Sequence, residues 1–328
     1  MQNEITSVPN VPAVAQVPAR ERQWLSVSSV RDGAAFAAMR TEWTELLEQS
    51  DAGTFNHWEW VYPWFRRIGP DRELRILTAR DRAGKLIGLM PLCVEQRRVA
   101  GRRVRRLSFL AEDHVGSDYL DVVARRGHEE DVARAFAVYL RDTVTGWDVI
   151  DLVDFENGST TVKVFSEVFG ADFQVRVSDR YLCPCEHFKP GENFDQFLRR
   201  TARRDNYLRR KKWLEKQEGY RIEKTTVPAD LARPMTEFFR LHSARWMGDG
   251  GSQGIKGPSV EAFHRDATHL FAEQGKLRLY TMWVGGKAVA SVYGIIDRGV
   301  FSYFQSGYDP EWRNKSVGLV LVGETFRD

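Results

Sequence analysis

The sequence predicts an α/β protein in which one unit of helices and strands occurs twice. Three observations carry this. At 328 residues the chain is longer than one ordinary domain. A strand–turn–strand pair recurs: Leu74-Arg75-Ile76-Leu77-Thr78 then Gly84-Lys85-Leu86-Ile87-Gly88 parallels Leu277-Arg278-Leu279-Tyr280-Thr281 then Gly286-Lys287-Ala288-Val289-Ala290. Helical periodicity precedes each pair.

The elements follow in order. Residues 1–22, rich in Val, Ala, Pro and Gln, lack the apolar core of a signal peptide and read as a disordered leader. Phe36, Met39, Trp43, Leu46 and Leu47 recur at helical spacing and predict a helix over 35–49. A second helix is expected over 58–67, then strands over 74–79 and 86–94 around Gly84-Lys85. The basic run 97–106, with Gly101 in its turn, reads as a hairpin tip or an edge strand. A helix over 131–140 and a buried strand over 149–153 complete a first lobe placed at 23–182. The second lobe, 183–328, opens with one long basic helix over 194–217. Met235, Phe238, Phe239, His242 and Trp246 stripe a further helix. A Gly-rich loop (248–257) and a helix (260–273) lead to strands over 277–284, 288–296 and 300–307, joined by hairpin turns.

Composition narrows the function classes. The 48 basic residues are nearly matched by 45 acidic ones, so no global basic field points to nucleic acid. No run approaches the roughly 20 apolar residues that span a bilayer. Cys93, Cys183 and Cys185 are too few for a disulfide framework, and Cys183-Pro184-Cys185 has no second pair at metal-ligand spacing. No metal is expected, and these features together point to a cytoplasmic protein.

Chemistry concentrates after residue 300. The strand ending in Tyr303-Phe304-Gln305-Ser306-Gly307-Tyr308 runs through Asp309-Pro310-Glu311-Trp312 into Arg313-Asn314-Lys315-Ser316-Val317-Gly318 and the apolar helix start Leu319-Val320-Leu321-Val322. Unbonded amides and the dipole at a helix start favour an anion, and Gly318 admits a close backbone approach. Arg313 and Lys315 add positive charge. The same stretch also reads as a plain loop with a glycine near a helix start. Tyr303 and Gln305 share a strand face by two-residue alternation, either lining a pocket or packing within the sheet. His242 reads as a packed core histidine or as a base or substrate contact, with Arg245 and Trp246 one turn on. Asp309 reads as a turn residue before Pro310, and His264 and His269 as helix-surface residues. The basic segment 199–212 is a solvated face or a site for an anionic acceptor, membrane headgroups or tRNA.

These residues carry a family resemblance. Arg313 to Gly318 resembles the Gln/Arg-x-x-Gly-x-Gly/Ala diphosphate signature of GNAT acyltransferases, with Ser316 where Gly is usual. The strings Leu241-His242-Ser243-Ala244-Arg245-Trp246, Tyr293-Gly294 and Tyr303 to Pro310 resemble the CelD-like branch. So do Thr54-Phe55 with Trp58 to Trp64, and Ser117-Asp118-Tyr119-Leu120-Asp121. The resemblance covers about residue 40 onward. It implies two tandem GNAT-like lobes, each a mixed, mostly antiparallel sheet flanked by helices. It further implies an acyl-CoA, in the first instance acetyl-CoA, held by Arg313, Asn314, Lys315, Ser316, Val317 and Gly318. Tyr303, Gln305 and His242 are then expected at the chemistry, and Arg245, Trp246 and Tyr308 against the acceptor, an amine or hydroxyl of a metabolite or saccharide between the lobes. FemAB-like ligases, which draw on aminoacyl-tRNA, and a non-catalytic GNAT-fold binding protein are the alternatives. A GNAT fold carries two more strands after the diphosphate helix, so the resemblance implies a second lobe shortened at Asp328 with an exposed sheet edge.

Overall fold

A computed structural model describes residues 25–112, 115–247, 250–251 and 254–328. The expected leader therefore lies outside the described residues.

The first lobe runs β1 (Ser26–Val30), α1 (Gly33–Ala38), α2 (Arg40–Glu48), α3 (Trp58–Arg67), β2 (Glu73–Arg80), β3 (Leu86–Val99), β4 (Arg102–Phe109), β5 (Val123–Ala124), α4 (Glu129–Asp142), β6 (Val149–Ile150) and α5 (Thr160–Phe169). Its sheet has the order β1-β2-β3-β4-β6, with β5 on β3. The pairs are antiparallel except β4 with β6, which is parallel. The second lobe runs α6 (Phe194–Arg200), α7 (Arg204–Leu214), β7 (Arg221–Thr225), α8 (Ala232–Met247), α9 (Pro258–Glu273), β8 (Leu277–Val284), β9 (Lys287–Asp297), β10 (Val300–Tyr308) and α10 (Val317–Arg327). Its sheet is wholly antiparallel in the order β10-β9-β8-β7.

The repeat seen in the two hairpins extends to the architecture. Each lobe sends one strand through helices into a three-strand meander: β1, α1–α3, β2-β3-β4 in one; β7, α8–α9, β8-β9-β10 in the other. The basic run does form a hairpin tip, where Ala100 and Gly101 take φ of 49° and 79° between Val99 and Arg102.

Several expectations need correction. Residues 35–49 form two helices that meet at Met39. The long basic helix is also two, because Ala202 turns left-handed at φ 54°. That break lets Phe197 and Leu198 on α6, and Tyr207 and Leu214 on α7, enter the same core. The strand β6 spans two residues at a sheet edge, with Val149 exposed, rather than five buried ones. β1 and β7 carried no clear sequence signal, since edge strands need no continuous apolar run. His264 lies deep inside the molecule, not on a helix surface.

The lobes share one core. Aromatic rings from the first lobe (Phe55, Trp60) meet Phe263, His264 and Phe304 of the second, with Trp60 4.8 Å from Phe263 and 5.2 Å from Phe304. Beside them a buried polar contact crosses the same boundary: His57 Nε2 lies 3.2 Å from an Asp297 oxygen. Burial alone would raise the Asp297 carboxyl, but His57 and Lys276 hold it well below the ordinary range. Residues 174–189, without regular structure, connect the lobes.

His264 is fully buried, its Nδ1 is 2.8 Å from the Tyr293 hydroxyl, and burial pushes its titration down to about 3. An unfolded imidazole titrates near 6.5, so between these values protons bind the unfolded chain preferentially. The contribution to stability is complete above about 6.5 and is lost progressively toward 3. Thermal melting is therefore expected to fall on acidification below neutrality, and His264→Gln to flatten that slope. An unchanged slope in the variant would assign it elsewhere.

Candidate acyl-transfer site on the second lobe

The site is built where α8 lies against β10. Their approach is fixed by Gly307: a Cβ there would stand 2.2 Å from the His242 amide nitrogen and 2.4 Å from the Leu241 carbonyl carbon. Backbone contact at that point brings the polar side chains of α8 over the strand.

Ser306 collects them. The Arg245 guanidinium donates to the Ser306 hydroxyl at 3.0 Å, and the Tyr303 hydroxyl donates to the same oxygen at 2.5 Å. His242 Nδ1 is 3.2 Å from the Ser306 carbonyl. Sequence reasoning passed over Ser306; the only signal was its place inside the Tyr303 to Pro310 string. Arg245 also lies 4.8 Å from the Trp246 ring and 5.7 Å from that of Tyr308. Thus Tyr303, His242, Arg245, Trp246 and Tyr308 do gather in one place.

Their exposures differ in a way that sorts their reach. Tyr303 is 44% exposed, whereas His242 is 1% exposed and packs on Phe238. Burial lowers the His242 titration below that of an ordinary imidazole, which favours the neutral ring. Tyr303 and Gln305 do not share a regular strand face. The pairing with β9 shifts between them, and the extra residue, Phe304, turns into the inter-lobe aromatic core. Gln305 instead lies beside Gly254, with its Nε2 3.7 Å from where a Cβ on that residue would stand. At the lobe boundary Thr54 and Ser302 hydroxyls pair at 2.9 Å.

The turn after β10 is a short 3-10 segment, Pro310–Lys315, started by Asp309, whose side chain accepts from the Glu311 amide at 3.0 Å. Asp309 is therefore a turn residue. Ser316 then takes φ 59° and ψ 35°, the left-handed conformation that glycine adopts without strain. Ser316→Gly is accordingly expected to raise stability by about 1 kcal/mol and to leave ligand affinity unchanged, as thermal melting and titration would measure.

The Ser316 side chain does not cap α10, so the first amides of that helix lack acceptors among the described residues. Val317, Val320 and Leu321 anchor its other face in the second-lobe core. Around Gly318 a Cβ would meet nothing within 4 Å, which leaves the backbone open to a ligand. Arg313, Asn314 and Lys315 are exposed at the same end, and neither Arg313 nor Lys315 has a carboxylate partner among the described residues. Chemically, this is a cationic, open helix start suited to a diphosphate. Among the described residues no cluster of three or more potential metal ligands occurs.

Residues 201–328 match the family described as acetyltransferase (GNAT) domain. The FemX crystal structure aligns over 92% of this chain and 85% of its own, at 10% identity and TM-score 0.55. Two GNAT-like lobes stand in tandem. A tandem GNAT protein from the clavulanic acid biosynthesis pathway aligns over 92% of this chain and 85% of its own, at 11% identity and TM-score 0.37. L-PGS from Bacillus licheniformis covers 87% of this chain and 72% of its own, at 14% identity and TM-score 0.43. No curated protein matches the chain.

After β10 the chain passes through the turn into α10. Among the described residues β10 lies at the edge of its sheet, whereas β4, at the same place in the first lobe, pairs with β6.

Proposed function

We propose that this protein is a cytoplasmic acyltransferase of the CelD-like branch, moving an acyl group, in the first instance acetyl, from acyl-CoA to an amine or hydroxyl of a metabolite or saccharide. The observation that carries this reading is the left-handed Ser316 opening an uncapped, cation-flanked α10 directly after the strand that bears Tyr303 and Ser306. The match of residues 201–328 to GNAT domains supports it.

In this reading the α10 amides, Arg313 and Lys315 hold the donor diphosphate, while Asn314, Ser316, Val317 and Gly318 shape the turn that lets it approach. The acceptor, positioned from the inter-lobe side by Arg245, Trp246 and Tyr308, attacks the thioester carbonyl carbon. A carbon–nitrogen or carbon–oxygen bond forms, the carbon–sulfur bond breaks, and the acceptor proton leaves to water. The half-exposed Tyr303 hydroxyl returns a proton to the thiolate. Gln305 faces the Gly-rich loop and helps to close the site. His242 fixes the β10 backbone through the Ser306 carbonyl.

The test is release of CoA from acetyl-CoA across a panel of amines and saccharides. An acceptor that stimulates release supports the reading, and Tyr303→Phe should then lower kcat roughly a hundredfold with KM for the donor unchanged. FemAB-like transfer from aminoacyl-tRNA is the second reading, favoured by the likeness to FemX. Transfer from aminoacyl-tRNA with no acceptor-dependent use of acetyl-CoA would establish it instead.

A further inference from the structure

The basic segment 199–212 separates into two sets once its partners are known. Arg199 and Arg204 pair with Asp195, Arg200 with Glu186 and Glu192, and Lys211 with Glu324. These cations are neutralised locally and hold α6, α7 and α10 together. Arg210 belongs to the other set. Its Nη1 donates to the Asn314 carbonyl at 3.2 Å, and its Nε is buried with no hydrogen-bond partner among the described residues. One helical turn further, Trp213 is 37% exposed, and the Lys315 ammonium stands 4.7 Å from the centre of its ring. Two consecutive residues of the turn, Asn314 and Lys315, thus touch the same face of α7.

An exposed indole beside cations without carboxylate partners has the chemistry of a nucleotide site: a flat apolar face for a base and charge for its phosphates. The solvated-face reading explains the paired cations but not an arginine with an unsatisfied buried donor held against a phosphate-binding turn.

We propose that α7 recognises the nucleotide end of the donor, with Arg210 beside the 3′-phosphate of CoA and Trp213 stacked on the adenine. This rests on the acyl-CoA reading of the turn and adds an element outside the strand–turn–helix unit that carries it. Arg210 and Trp213 then select CoA over donors that lack the ribose phosphate.

The experiment is calorimetric titration of the full chain with CoA and with 3′-dephospho-CoA, beside Arg210→Ala and Trp213→Ala variants whose melting is checked against the parent. The parent should bind CoA about tenfold more tightly than dephospho-CoA. Arg210→Ala should erase that difference while leaving dephospho-CoA affinity unchanged. Trp213→Ala should weaken both ligands alike. If Arg210→Ala keeps the discrimination, or weakens both ligands equally through a disturbed turn, the proposal is overturned while the acyl-CoA reading stands. If the parent binds neither ligand, both fall. Salt-sensitive, Arg210-dependent binding of bulk tRNA in that case would assign the face to RNA phosphates instead.

Discussion

Replacing Arg313 with alanine and Gly318 with valine together is expected to remove acetyl-CoA binding, by more than about a hundredfold in affinity, while leaving the fold intact. The two halves of the effect have different origins. Arg313 is exposed at the helix start and has no carboxylate partner among the described residues, so its loss removes charge from the ligand rather than an internal contact. Gly318 has open space where a side chain would go. The Cβ of a valine there meets nothing within 4 Å; on the proposed reading the side chain stands in the path of a diphosphate toward the α10 amides. Because neither change touches the core, melting should stay close to that of the parent. Binding lost at unchanged melting is the result that separates a ligand site from a structural loop.

A second large effect is expected at Gly307, and it is one of stability. Adding a single methyl group there sets it against the backbone of α8 at His242 and Leu241, at 2.2 and 2.4 Å. A flexible side chain could turn away; a helix backbone cannot. Overpacking ordinarily costs about 1–3 kcal/mol, and an obstacle made of backbone places Gly307→Ala at or above the upper end. The melting midpoint should fall by at least about 5 °C. Separating α8 from β10 would also pull Arg245 from Ser306, so any transfer activity should fall with it. Gly318→Ala, on the same lobe but in open space, is the matched control and should melt like the parent.

The contrast between these glycines marks what the sequence could and could not reveal. Gly318 was legible because it closes a recognisable turn. Gly307 was not, because its constraint comes from a helix more than sixty positions away. The inner strands announced themselves through apolar-rich runs such as Leu86 to Val94 and Ala288 to Ile296. The edge strands β1 and β7 did not, since half of each faces water and their sequences are short and polar. The break at Ala202 had a trace in the sequence: apolar positions lapse between Leu198 and Tyr207, which no single packed helix would tolerate. His264 was misplaced because its polar side chain was read as surface, although it falls on the buried stripe of α9 with Val260, Ala267, Thr268 and Phe271. The His57–Asp297 contact, 240 positions apart, has no local signal at all.

At the candidate site, Tyr303, His242, Arg245, Trp246 and Tyr308 gather around Ser306, while Gln305 lies apart beside Gly254. Ser306 links Tyr303 to Arg245, and the bulge at Phe304 breaks the alternation that would have set Tyr303 and Gln305 side by side. Ser316 is the converse case. Its side chain departs from the signature, while its backbone takes the left-handed conformation that glycine adopts without strain.

The central claim is that the amino end of α10 holds a donor diphosphate, and amide NMR of the isotope-labelled chain during a CoA titration tests it most directly. The account predicts saturable shifts centred on the amides of Val317, Gly318 and Leu319, with the Arg313 side chain following. Saturable binding whose shifts lie elsewhere, leaving those three amides unmoved, would contradict it.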